Sequence, residues 1–89
     1  MKNELIVKFK DSAFRHGINK EDILYVIANP IYEDILEFYP EKYLVIGFDR
    51  NRNLLEIAYN LENDIVLKVF HAMKCRKCYF SLLNIKFWR

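Results

Sequence analysis

The sequence predicts an α+β fold: two short N-terminal helices, an antiparallel β-meander of about four strands, and a C-terminal helix. Three observations lead there. Helix punctuation crowds residues 11–30, apolar stretches divided by short polar turns fill residues 31–71, and an apolar stripe at i, i+3, i+4 begins near Lys74. With 89 residues, the chain makes one domain, residues 1–89.

The elements follow in order. Leu5–Phe9 fits either a strand or an extended arm. Asp11-Ser12-Ala13-Phe14-Arg15-His16-Gly17 reads as a short helix stopped by Gly17 as a left-handed cap. His16 sits at its end, where a cation complements the helix dipole and the ring meets a free carbonyl, so it reads as structural. Asn19 caps a second helix that carries Glu21 and Asp22 in its first turn and Ile23, Val26 and Ile27 on one face. Asn29-Pro30 ends it, because the residue before proline is pushed out of the α region. Ile31–Phe38 is the first strand of the meander, and Glu33, Asp34 and Glu37 suit it to an edge. Tyr43–Asp49, Leu54–Tyr59 and Ile65–His71 follow, joined by polar turns at Asp49–Asn53 and Asn60–Asp64. The last helix starts near Lys74, with Cys75, Cys78, Tyr79, Leu82 and Leu83 on its core face.

Composition narrows the class. Apolar residues make up 53% of the chain, with six Tyr, seven Phe and one Trp, which argues for a packed core and against disorder. The N-terminal run Leu5-Ile6-Val7 is broken by Lys8 and Lys10, and no stretch approaches the ~20 apolar residues of a membrane span. Neither a signal peptide nor a membrane anchor is expected, and a reducing cytoplasm is the default compartment. Charge is unevenly spread. Residues 1–64 hold eight bases and twelve acids, a balance of −4, whereas residues 65–89 hold six bases and no acid, a balance of +6. That asymmetry fits a polyanion or an acidic protein partner, and it also fits a folded domain whose ends differ in sign.

Several chemistries are excluded. The only glycines are Gly17 and Gly47, so no glycine-rich phosphate loop exists. Cys75 and Cys78 have CxxC spacing but no second Cys/His pair at zinc-site spacing, and they read as buried structural thiols. Ser12 and Ser81 sit in ordinary helical contexts. The most informative stretch is Phe70-His71-Ala72-Met73-Lys74-Cys75-Arg76-Lys77, where a strand delivers a histidine and three cations follow at a helix start. Cations beside a helix N-terminus suit phosphate, and histidine suits proton transfer near neutrality. Strand phase opposes this reading, since His71 shares a face with Ile65, Leu67 and Val69.

Arg15-His16-Gly17-Ile18, then Glu21-Asp22-Ile23 leading to Asn29-Pro30, resembles the opening of BrnT-like toxins of bacterial type II toxin–antitoxin modules. Tyr43-Leu44-Val45-Ile46-Gly47 followed by Leu54-Leu55-Glu56-Ile57 is similar to their central hairpin, and Ile65–Tyr79 lies where they carry a Ser-Ala-Arg-Lys-Ala stretch. Here that stretch is His71-Ala72-Met73-Lys74-Cys75, with the arginine displaced to Arg76. The resemblance covers residues 9–83. It implies a RelE-like ribonuclease fold, RNA cleavage without metal or cofactor, and a cognate antitoxin protein with which the toxin can form a larger complex. On that reading a ribose 2′-hydroxyl attacks the neighbouring phosphate. His71 is the candidate acid or base, Lys74 and Arg76 stabilise the developing charge, and Lys77, Arg50 and Arg52 hold phosphate or extend the site. Two rivals remain: a module that binds RNA or an acidic protein without cleaving, and an inactive interaction domain anchored by Phe87 and Trp88.

Overall fold

Apolar alternation builds five strands in the computed structural model, which describes residues 6–38 and 41–83. They are β1 (Ile6–Phe9), β2 (Tyr32–Phe38), β3 (Glu41–Phe48), β4 (Leu54–Glu62) and β5 (Val66–Lys74). All lie in one sheet, in the order β1-β5-β4-β3-β2. β2 to β5 run antiparallel to their neighbours, whereas β1 runs parallel to β5 with Phe9 opposite Val69. A 3₁₀ turn at Asp11–Phe14 and a helix α1 (Lys20–Ala28) separate β1 from β2, and a 3₁₀ turn at Lys77–Tyr79 leads into a one-turn helix α2 (Phe80–Leu83).

This corrects the expected α+β arrangement of two N-terminal helices, a four-stranded meander and a helix from Lys74. A fifth strand makes the sheet mixed. Ile6–Phe9 is too short for alternation to identify it, yet Val7 and Phe9 pack against the core. The first expected helix is a single 3₁₀ turn, closed when the Gly17 N–H donates to the Phe14 carbonyl at 3.2 Å with Gly17 at φ +80°. At the other end, Lys74 still belongs to β5, Cys75 N–H extends the ladder to the Leu54 carbonyl at 2.9 Å, and Arg76 is extended. The stripe predicted to be buried there is not. Cys78 is exposed, Cys75 is half-buried and Leu82 is 41% exposed. Phe87 and Trp88 lie outside the described residues.

One face of the sheet is covered by α1. Asn19 caps that helix by accepting the Asp22 N–H at 2.8 Å, and Ile23 and Val26 enter a core with Val45, Leu55, Ile57 and Val69. The approach is close at Gly47, where a Cβ would lie 3.0 Å from the Asn29 carbonyl oxygen and 3.1 Å from Val26 Cγ1. The opposite face is also buried near its centre, through Leu44, Ile46 and Ala58. Among the described residues, no helix is long and apolar enough to cross a membrane.

One irregularity decides what the sheet displays. Ala58 pairs with His71 but Tyr59 pairs with Val69, so β5 carries one extra residue, Phe70. An extra residue reverses the alternation beyond it. Leu67 and Val69 face α1, and so does Ala72, whereas His71 turns to the other side. The phase read from sequence, which set His71 beside Leu67 and Val69, is corrected by this bulge.

Two glycine substitutions test the packing. Gly47→Ala forces α1 off β3 and is expected to cost about 1–3 kcal/mol in urea denaturation. Gly17→Ala meets no atom within 4 Å but must adopt positive φ, so about 1 kcal/mol is expected. An unchanged midpoint for Gly17→Ala would contradict the left-handed turn.

Candidate functional site

β4 reads Leu54-Leu55-Glu56-Ile57-Ala58, an acid inside an apolar strand. Leu55 and Ile57 point into the α1 core, so Glu56 points to the other face, where it is fully buried. A buried carboxylate needs donors, and two residues supply them. Glu56 Oε1 accepts the Arg76 backbone N–H at 2.8 Å and Arg76 Nε at 3.2 Å. Oε2 accepts Arg76 Nε at 3.0 Å and Nη2 at 2.6 Å, and lies 2.8 Å from His71 Nε2. Burial alone pushes the Glu56 carboxyl up. The Arg76 side-chain and backbone bonds, with the His71 bond, outweigh it and hold the group below its ordinary 4.5. The same carboxylate raises the Arg76 guanidinium.

An ionised carboxylate only accepts. His71 Nε2 therefore carries the hydrogen, and Nδ1 of the neutral ring is left with its lone pair. Among the described residues no hydrogen bond reaches Nδ1. His71 is partly open, with a quarter of its side chain exposed (25%), and Arg76 is half exposed.

These groups border a cleft of about 380 Å³. Leu44, Ala58, Leu36 and Phe70 give it apolar surface. Ser12, Arg15, Glu56, His71, Arg76 and Tyr79 give it polar surface. Arg76 lies 5.5 Å from the Tyr79 ring centroid. Among the described residues, the cleft lining thus sets two guanidiniums and the His71 imidazole against one carboxylate. The N-terminal segment reaches it because Ser12 Oγ donates to the Phe70 carbonyl at 2.6 Å and Ala13 is fully buried. His16 then stands edge-on to His71, with ring centroids 5.8 Å apart at 75°.

Of the residues singled out from sequence, the fold brings His71 and Arg76 together. Lys74 stands opposite Leu55 in register, hence on the α1 side of the sheet and away from His71. Lys77 opens the exposed 3₁₀ turn just after Arg76. Arg50 and Arg52 line a different pocket, about 590 Å³, with Tyr25, Asn29, Ile31, Phe48 and Asp49. Their turn is held by Asp49, which accepts the Asn51 and Asn53 N–H groups at 2.8 Å each, and Arg52 takes φ +66°. Cys75 carries no thiolate character, because burial and then the Glu56 charge push its thiol up to about 11.

Glu56, Arg15, Ser12, Tyr79 and His16 were not identified as site residues from the sequence. Glu56 had a readable signal, a lone acid flanked by apolar residues in a central strand. His16 had none, since its four-residue 3₁₀ turn is too short for the dipole argument. Among the described residues, no three His, Cys, Asp or Glu side chains converge as metal ligands. The chain matches no family model and no curated protein sequence.

The depressed carboxyl makes a signed prediction. A group held below its unfolded value contributes stability fully above that value and loses it as pH falls through the folded one. The stability gap between wild type and Glu56→Gln is therefore expected to be about 3 kcal/mol near neutrality and to close as pH drops below about 4.5. Asp49, depressed in the same direction, is present in both proteins and cancels. A gap independent of pH, measured by urea denaturation, would rule out an ionised Glu56.

Proposed function

We propose that this protein is an RNA-cleaving toxin of a bacterial toxin–antitoxin pair, a metal-independent endoribonuclease acting in the cytoplasm and neutralised by a cognate antitoxin. The observation that carries the reading is the Glu56–His71 bond beside Arg76. It leaves a histidine nitrogen free as a base, in a partly open cleft bordered by two guanidiniums. The resemblance of Arg15-His16-Gly17-Ile18 and the later motifs to BrnT-like toxins supports the same class.

The chemistry follows from the groups. RNA carries its own nucleophile, the 2′-hydroxyl, so cleavage needs a base, charge stabilisation and an acid rather than a metal. His71 Nδ1 takes the 2′-hydroxyl proton as the O2′–P bond forms, and Glu56 stabilises the imidazolium through Nε2. A guanidinium has five N–H donors. Arg76 uses only its Nε and Nη2 on Glu56, leaving others for the phosphoryl oxygens. Arg15 on the rim adds a second cation, and Tyr79 offers a stacking face for a base. The products are a 2′,3′-cyclic phosphate and a 5′-hydroxyl. DNA, which lacks the nucleophile, is not a substrate. On this reading the antitoxin works by covering the cleft, and acidic side chains suit it to that task.

Purified protein with end-labelled RNA in excess EDTA tests this. Cleavage is expected for wild type and for Lys74→Ala, whose side chain is on the other face, with a loss of about 10²–10⁴-fold in His71→Ala. Equal cleavage by His71→Ala and wild type would move the chemistry elsewhere. RNA binding without cleavage by wild type, with or without ribosomes, would favour the non-catalytic binding module. Phosphate contacts limited to Arg15, Arg76 and Lys77 predict a log–log salt slope of about −2 for single-stranded RNA.

A further inference from the structure

We infer that His16 is the general acid that completes the site, protonating the 5′ leaving oxygen while His71 acts as base; this rests on the ribonuclease reading above. The two imidazoles are 5.8 Å apart at 75°, edge to face, and no hydrogen bond joins them. They are the same chemical group in two settings. His71 is partly buried and held by a carboxylate, which fixes its tautomer and suits it to accepting a proton. His16 is exposed and, among the described residues, has no carboxylate partner, so its ring nitrogens are open to solvent and to a leaving oxygen.

Its placement is specified from both sides. Lys10 N–H donates to the Val69 carbonyl at 2.8 Å, Ser12 Oγ to the Phe70 carbonyl at 2.6 Å, and the Ala13 side chain is buried. These contacts seat the segment against β5 at its bulge. Immediately after His16, Gly17 at φ +80° turns the chain away. Arg15 thus lines the cleft, and the next residue, His16, sets its ring beside that of His71.

The step balances. His71 Nδ1 gains the 2′-hydroxyl proton, the O2′–P bond forms and the P–O5′ bond breaks. The His16 imidazolium gives its proton to O5′, and solvent returns both rings to their starting states. Transfer to a leaving oxygen is worth most when that oxygen is basic.

A pair of dinucleotide substrates separates the roles, one with the natural 5′-oxygen and one with a bridging 5′-sulfur, which leaves without protonation. His16→Ala is expected to lose about 10²–10³-fold in kcat/KM on the oxygen substrate and only a few-fold on the sulfur substrate. His71→Ala is expected to lose comparably on both. Retained cleavage of the sulfur substrate doubles as a folding control for His16→Ala. His16→Ala slowing both substrates equally, or neither, would overturn the acid role while leaving the ribonuclease reading intact. Failure of wild type to cleave either substrate would overturn both.

Discussion

Glu56 has no contact with solvent, and removing a carboxylate from water without partners would cost several kcal/mol. Its two partner residues answer that cost, and each of them is positioned by answering it. The Arg76 backbone N–H and guanidinium both close on the carboxylate, which keeps the chain extended through Arg76. That N–H, which would have no intrahelical acceptor in the first turn of a helix from Lys74, goes to the Glu56 carboxylate instead. His71 donates through Nε2, and its other nitrogen is thereby assigned as the acceptor. One buried charge thus sets the strand's end, the late start of α2, and the protonation geometry of the cleft.

The second requirement is the bulge at Phe70. Without the extra residue, β5 would keep strict alternation and His71 would face α1 with Leu67 and Val69. With it, His71 reaches Glu56 across the neighbouring strand. The bulge also offers the Phe70 carbonyl to Ser12 Oγ, which draws the 3₁₀ turn over β5, brings Arg15 to the cleft and sets His16 beside His71. A local insertion in one strand therefore assembles groups from both ends of the chain.

Local features of the fold were legible because they depend on local chemistry. Asn19 as a cap, Gly17 as a left-handed residue and Asn29 as a helix end follow from the residues themselves. What failed depends on long-range contacts. The β1–β5 pairing joins segments far apart in sequence, and four residues leave no readable period. The apolar spacing of Cys75, Cys78, Tyr79, Leu82 and Leu83 fits a helix well, but it carries no trace of the buried acid that captures Arg76 from another strand. The same gap governed the site. His71 and Arg76 stand out by their chemistry, whereas Lys74 joins them through the helix expected there and through its place in the Ser-Ala-Arg-Lys-Ala resemblance, and neither carries the register that turns it to the α1 side. Arg50 and Arg52 lie in a turn whose position relative to α1, not to His71, decides their pocket.

The central claim is that a buried, ionised Glu56 holds His71 with Nε2 protonated and Nδ1 free. Long-range ¹H–¹⁵N correlation of the imidazole nitrogens, on wild type and Glu56→Gln at a pH where the ring is neutral, reads this directly. The account predicts the Nε2–H tautomer in wild type, with Nδ1 showing the shift of an unprotonated nitrogen, and loss of that single-tautomer signature in Glu56→Gln. A wild-type His71 carrying its hydrogen on Nδ1, or a tautomer mixture unchanged by Glu56→Gln, would contradict it.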